Sequence, residues 1–254
     1  MDFNLKAFAK QKGLSIKTAK IITEEAVKNV LRKQNLTIDE IKENFDQLFD
    51  NIGIEAYRLY LEYEQQYGEK VFNIFLNHLK ENGELMKLED VGPVLGKYFR
   101  TLDKFFLSII QSRKIRAGQT NQDIQNGLFR ALNYPFEEQV FINGKPDFIM
   151  PSEKHYRNNP MDCIIFTTKR TTRERWRQIV TEGTRGLGFY LSTIDPNISK
   201  SQLDEMLKHR IYVVCPQRIK DTFYNDTVNA ISFKRFFRDH LDPAMERWKK
   251  NKII

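Results

Sequence analysis

Cysteine and histidine are scarce, with two of the first and four of the second in 254 residues. Cys163 and Cys215 lie inside the apolar runs CIIF and IYVVC, where a thiol behaves as a small hydrophobe. That scarcity supports neither a disulfide scaffold nor a zinc site built from clustered Cys and His. Long apolar runs are absent as well. No window approaches the roughly eighteen uninterrupted apolar residues of a membrane span, and the opening MDFNLKAFAKQKG lacks the apolar stretch of a signal peptide. A reducing cytoplasm is the expected setting, which makes the sequons at Asn35, Asn197 and Asn225 chance matches. Acidic residues are outnumbered, 33 Asp and Glu against 41 Lys and Arg, for a formal charge of +8 and a pI near 9.3. That excess favours a polyanionic partner, most economically nucleic acid.

No repeat or low-complexity segment is visible, and the length suits one large core or a main domain with a smaller helical one. Apolar positions recur at three and four through TAKIITEEAVKNVLRK, IDEIKENFDQLF, EAYRLYLEYEQQY, KVFNIFLNHLK and KYFRTLDKFFLSII, which predicts an α-helical region over residues 1–112. Thr37 followed by Glu40 forms a capping box. Breaks are expected at Asn51-Ile52-Gly53, Tyr67-Gly68, Asn82-Gly83 and Gly92-Pro93. The spacing of Ala9, Gly13, Ala19 and Ile22 matches a helix-turn-helix and would set Ser15 to Lys20 on a recognition helix. The other use for these helices is a dimer interface and a clamp over DNA.

From residue 113 to 254 the texture changes. A helix is expected over NQDIQNGLFRAL, then a hairpin from EEQVFI through Asn143-Gly144 to PDFIM, since Asn-Gly tolerates the positive φ of a tight turn. MDCIIFTTK, GFYLST and RIYVVC read as strands, separated by helices over RERWRQIVTEG and SQLDEMLKH. The tail FKRFFRDHLDPAMERWKK reads as a closing helix interrupted near Pro243. The fold class is therefore α/β, a mixed or partly parallel sheet flanked by helices.

Asp147 follows Pro146 at the end of the hairpin, and Thr167 and Lys169 point the same way at the end of the next strand. If those strands pair, Asp147 comes close to the same face. A carboxylate beside a lysine at strand ends can hold Mg²⁺ and a water against a phosphodiester. Threonine at 167 leaves one acidic ligand missing, and Glu182, with twelve residues between it and Lys169, can supply it if the intervening helix folds back. Taken singly, Asp147 is a turn residue, Lys169 a solvated strand end and Glu182 part of a helix surface; the combination is what points to a site. Arg173, Glu174 and Arg175 follow the strand, offering guanidinium forks for O6 and N7 of guanine and an acceptor for N4 of cytosine.

These residues resemble a known family. Pro-Asp followed by a strand ending in x-x-Lys is similar to the PD-(D/E)xK nucleases. Thr167, Lys169 and Glu182 match the variant of the SsoII, PspGI, NgoMIV and EcoRII-like type II restriction endonucleases, in which the acidic ligand sits on the following helix. RERW falls where those enzymes carry their reader of a CC…GG core, and RKIRAGQTNQDI is similar to the segment that opens the helix before their hairpin. There the lineage usually has Glu four residues after the glycine, whereas this chain has Gln122 followed by Asp123, so no further carboxylate is assigned.

The resemblance covers roughly residues 113–216, under half the chain, and implies a PD-(D/E)xK core with a C-terminal helix over residues 113–254, preceded by the helical region. It implies Mg²⁺ held by Asp147 and Glu182, with Lys169 beside the attacking water. Arg173, Glu174 and Arg175 would read bases, and Arg113, Lys114 and Arg116 would make other DNA contacts. The implied partner is double-stranded DNA at a short palindromic site, met by a homodimer in a prokaryotic cytoplasm, with a cognate methyltransferase. A structure-selective or repair nuclease of the same fold, and a non-catalytic helix-turn-helix regulator, are the competing readings.

Overall fold

The computed structural model describes residues 3–142, 144–172 and 188–254. The three-and-four spacing of apolar residues yields helices α1 (Leu5–Gln11), α2 (Ala19–Gln34), α3 (Ile38–Glu43), α4 (Phe45–Glu81), α5 (Val91–Lys97) and α6 (Phe99–Ala131). The capping box opens α3 as expected: the Glu40 N–H donates to Thr37 Oγ1 at 3.3 Å, and the Thr37 N–H donates to Glu40 Oε2 at 2.8 Å. Gly83, at φ +71°, ends α4 by letting the Glu84 N–H reach the Leu79 carbonyl at 2.9 Å.

Three expected breaks do not occur, one of them because Gly92-Pro93 lies in the first turn of α5, where a proline is tolerated. Helix α4 runs unbroken through Gly53 and Gly68, because a glycine inside a helix costs only about 1 kcal/mol and buried Ile52, Ala56, Leu59, Val71 and Phe75 hold the helix on either side. Residues 12–18 separate α1 from α2 and Ser15 to Thr18 lie outside any helix, so the connection is longer than the three or four residues of a helix-turn-helix.

The chain divides into two compact units, Met1–Ala26 with Gly53–Thr120, and Val27–Ile52 with Asn121–Ile254. Position 112 falls within α6, which continues without a break to Ala131. The first unit is helical, with Leu5, Ala9, Tyr67, Val71, Phe75, Leu79 and Phe105 in its core.

In the second unit, among the described residues, six strands form one sheet in the order β1 (Glu137–Glu138), β2 (Phe148–Met150), β3 (Ile164–Thr168), β4 (Gly188–Ser192), β5 (Ile211–Cys215) and β6 (Ala230–Ser232). The first three pair antiparallel and the rest parallel. Strands β3 to β5 are almost wholly buried because both faces are covered, and their apolar residues run consecutively up to the polar strand ends at Thr167, Thr168 and Ser192. Ile149, Ile165, Leu191 and Val213 share a cluster with Leu203 and Met206 of α7 (Lys200–Lys208). Phe148 and Phe166 turn the other way, against Phe129 of α6, with ring centroids 5.6 and 5.4 Å from it.

The expected hairpin is shorter than its sequence suggests: pairing stops at Glu138, and Gln139, at φ +53°, donates its N–H to the Asp147 carbonyl at 3.1 Å. Asn143 lies outside the described residues. Near the end of the chain, Phe233–Phe236 (α-helical), Phe237–Leu241 (π-helical) and Asp242–Lys250 (α-helical) follow one another directly. Pro243 sits in the first turn of the last segment.

Candidate active site

The site begins with strand register. Phe148 pairs with Phe166 across the antiparallel β2–β3 ladder, so one residue back from β2 and one residue on along β3 sets Asp147 opposite Thr167. Asp147 Oδ2 accepts the Thr167 hydroxyl at 3.0 Å and the Thr168 N–H at 2.7 Å. Lys169 Nζ lies 3.5 Å from the same oxygen. Thr167 is fully buried and Asp147 nearly so, while the lysine side chain is 29% exposed, leaving its ammonium a path to solvent. The expected meeting of Asp147, Thr167 and Lys169 at the strand ends is therefore present. A carboxylate and a hydroxyl are hard oxygen donors that suit Mg²⁺, which commonly takes one or two carboxylates and completes its shell with water and phosphate. Among the described residues no group of three or more His, Cys, Asp or Glu could hold a metal on its own.

Glu182, Arg173, Glu174 and Arg175 lie outside the described residues. What the structure does give is the entrance to that segment. Thr172 donates its N–H and its hydroxyl to buried Asp195 Oδ2, at 2.8 and 3.1 Å. Thr193 Oγ1 donates to the Arg170 carbonyl at 3.4 Å. Asp195 carries no sequence signal for this task.

Gln125 was missed in the same way. It is one turn on from Gln122, on α6, and its amide bridges Thr168 of β3 and Ser192 of β4.

Arg113, Lys114 and Arg116 belong to the first unit. Arg113 Nε donates to Glu64 Oε2 at 3.0 Å and its Nη2 contacts Oε1. Burial acts to raise the Glu64 carboxyl, but hydrogen bonds from Arg113 and Tyr60 outweigh it and hold the group below the usual carboxylate range. Arg116 Nη1 donates to the Lys17 carbonyl at 2.6 Å, and its guanidinium lies 4.9 Å from the Tyr60 ring centroid. Both arginines thus have partners within their own unit, while Lys114 is exposed.

Residues 86–237 match the model of the family described as EcoRII C terminal, more than half of the chain. The chain belongs to the EcoRII C-terminal family. Type II restriction enzyme SsoII of Shigella sonnei is 29% identical over 156 residues, 57% of this chain and 50% of that protein. Type II restriction enzyme EcoRII of Escherichia coli is 29% identical over 147 residues, 54% of this chain and 36% of that protein. The matched region thus spans half or less of the length of these relatives. In fold, the chain is similar to metal-depleted Ecl18kI in complex with uncleaved, modified DNA, with a TM-score of 0.74 at 20% identity over 97% of this chain and 84% of that one. It is also similar to the complex of restriction endonuclease PspGI with substrate DNA, with a TM-score of 0.62 at 20% identity over 89% and 93% of the two chains. The sheet flanked by helices is thus similar in fold to those of Ecl18kI and PspGI, and the Asp147–Lys169 pair sits at its β2–β3 strand ends.

Proposed function

We propose that this EcoRII C-terminal family member is a Mg²⁺-dependent type II restriction endonuclease, cutting both strands of duplex DNA at a short palindromic site with a CC…GG core. The observation that carries this reading is the Asp147–Lys169 pair, 3.5 Å apart at adjacent strand ends, in a chain of that family. Asp147 and Glu182 would hold the ion, which when bound supplies positive charge to the phosphate and makes a coordinated water more acidic. Lys169 orients the attacking water and stabilises charge developing on the phosphate. Arg173, Glu174 and Arg175 read G·C pairs from the major groove by forked donation and a single acceptor. Arg113, Lys114 and Arg116 meet phosphate or base edges elsewhere on the duplex. A palindromic site is matched most simply by a two-fold symmetric protein, so the working form is a homodimer, protected in its host by a methyltransferase of the same specificity. No described helix is long and apolar enough to cross a membrane.

Digestion of a sequenced plasmid with Mg²⁺, followed by mapping of the ends, tests the proposal. Discrete double-strand cuts at CC…GG sites are expected. Random nicking points instead to a structure-selective nuclease of the same fold, and specific binding without any cleavage points to a regulator.

A further inference from the structure

We propose that Gln125 is a positioning residue for the Asp147–Lys169 pair, an inference that rests on the nuclease reading. The helix and strand registers deliver it there. Phe129 of α6 packs edge-on against Phe166 of β3, with ring centroids 5.4 Å apart. Gln125 is one helical turn before Phe129, and Thr168 is two strand positions after Phe166, so the pair that continues this contact toward the strand end is Gln125 with Thr168. Gln125 is 1% exposed. Its Oε1 accepts the Thr168 hydroxyl, and its Nε2 donates to Ser192 Oγ.

Thr168 and Ser192 are register partners in the parallel β3–β4 ladder. The Thr168 N–H holds Asp147 Oδ2 at 2.7 Å, and the Lys169 N–H donates to the Ser192 carbonyl at 2.9 Å. One neutral amide therefore ties the end of β3, from which both the site's carboxylate contact and its lysine project, to Ser192 of β4, whose carbonyl accepts the lysine's N–H. An amide suits the place because it accepts and donates at once without setting a second buried charge close to Asp147. Gln125 does not face the reacting phosphate in this scheme; it acts through Thr168.

The test uses the full chain and three variants. Gln125→Met and Thr168→Val each remove the bridge at similar volume, and Thr168→Ser keeps the hydroxyl. Single-turnover cleavage of a duplex bearing the mapped site, across a range of Mg²⁺, is expected to slow by about 10- to 100-fold in the first two, with a higher Mg²⁺ half-saturation. Binding of the same duplex without metal should change by less than about threefold, because only the site's internal geometry is disturbed. The double variant should be no worse than either single one, and Thr168→Ser should recover the rate. Hydrogen exchange at the backbone amide of position 168, corrected for the intrinsic rate of the residue there, should be faster in both Gln125→Met and Thr168→Val. Wild-type rate and Mg²⁺ response in Gln125→Met, or fully additive losses in the double variant, would overturn the inference. Should wild type cut no DNA at all, the nuclease reading falls, while unchanged Thr168 exchange would still count separately against Gln125. If Gln125→Met does not fold, Thr168→Val probes the same contact from the strand.

Discussion

Thr167 stands where a second acidic ligand would face Asp147, and its replacement puts the geometry of the site to a test that needs no DNA. In Thr167→Asp a carboxylate replaces a fully buried hydroxyl whose oxygen is 3.0 Å from Asp147 Oδ2. Two unit negative charges about 3 Å apart repel by roughly 5 kcal/mol at an effective dielectric of about 20. Protonation limits that cost, since keeping a carboxyl with an ordinary pKa near 4 neutral at pH 7 takes about 4 kcal/mol. Lys169 Nζ, 3.5 Å from the shared oxygen, offsets part of it. The expected loss of folding stability at pH 7 in EDTA is therefore about 2–4 kcal/mol.

The introduced carboxyl has its folded-state pKa raised above its unfolded value. The deficit is thus full above the folded pKa, shrinks as pH falls, and vanishes below about pH 4, where both states are protonated. Mg²⁺ should narrow the gap at pH 7 by neutralising the pair. Urea unfolding of wild type and variant, at pH 7 and at pH 4.5, with EDTA or Mg²⁺, reads all of this. Equal urea midpoints for the two proteins at pH 7 in EDTA would refute the packing of Asp147 against Thr167.

Lys169→Ala should abolish cleavage while leaving duplex binding largely intact, whereas Arg173→Ala should abolish sequence-specific binding; gel-shift and cleavage assays run in parallel separate the two roles. Phe129, fully buried and within ring contact of Phe45, Phe148, Phe166 and Phe237, should cost about 3–5 kcal/mol on replacement by Ala, measured by urea unfolding. Burial pushes the Cys163 and Cys215 thiols up to about 12, so both should resist a thiol reagent at pH 8 in the native protein and react together on unfolding; rapid native labelling would contradict their burial.

Much of the fold was legible from local chemistry. The capping box at Thr37, the run CIIFTTK and the alternation of strands with helices each reflect interactions confined to a few residues. Gly53 and Gly68 look like breaks in the sequence but lie inside α4, because the local penalty of about 1 kcal/mol is outweighed by the burial of Ile52, Val71 and Phe75 around them. Similarly, the seven residues between α1 and α2 replace the tight turn that apolar spacing alone suggested. Short helices and strands such as Gln217–Phe223 and β6 carry too few periodic positions to stand out from the chain.

The sequence by itself determined which side chains could do the chemistry: Asp147 after a proline, Lys169 two residues after Thr167, and a basic chain able to meet a polyanion. These follow from residue type and a two-residue strand period, which local sequence carries in full. Only the tertiary structure decided that Asp147 meets Thr167 and Lys169, and that Gln125 and Asp195 brace the strand end and the entrance to the arginine-rich segment. Those contacts join residues 20 to 67 positions apart. They depend on ladder register and on the angular position of a helix over a sheet, which arise when the core packs as a whole.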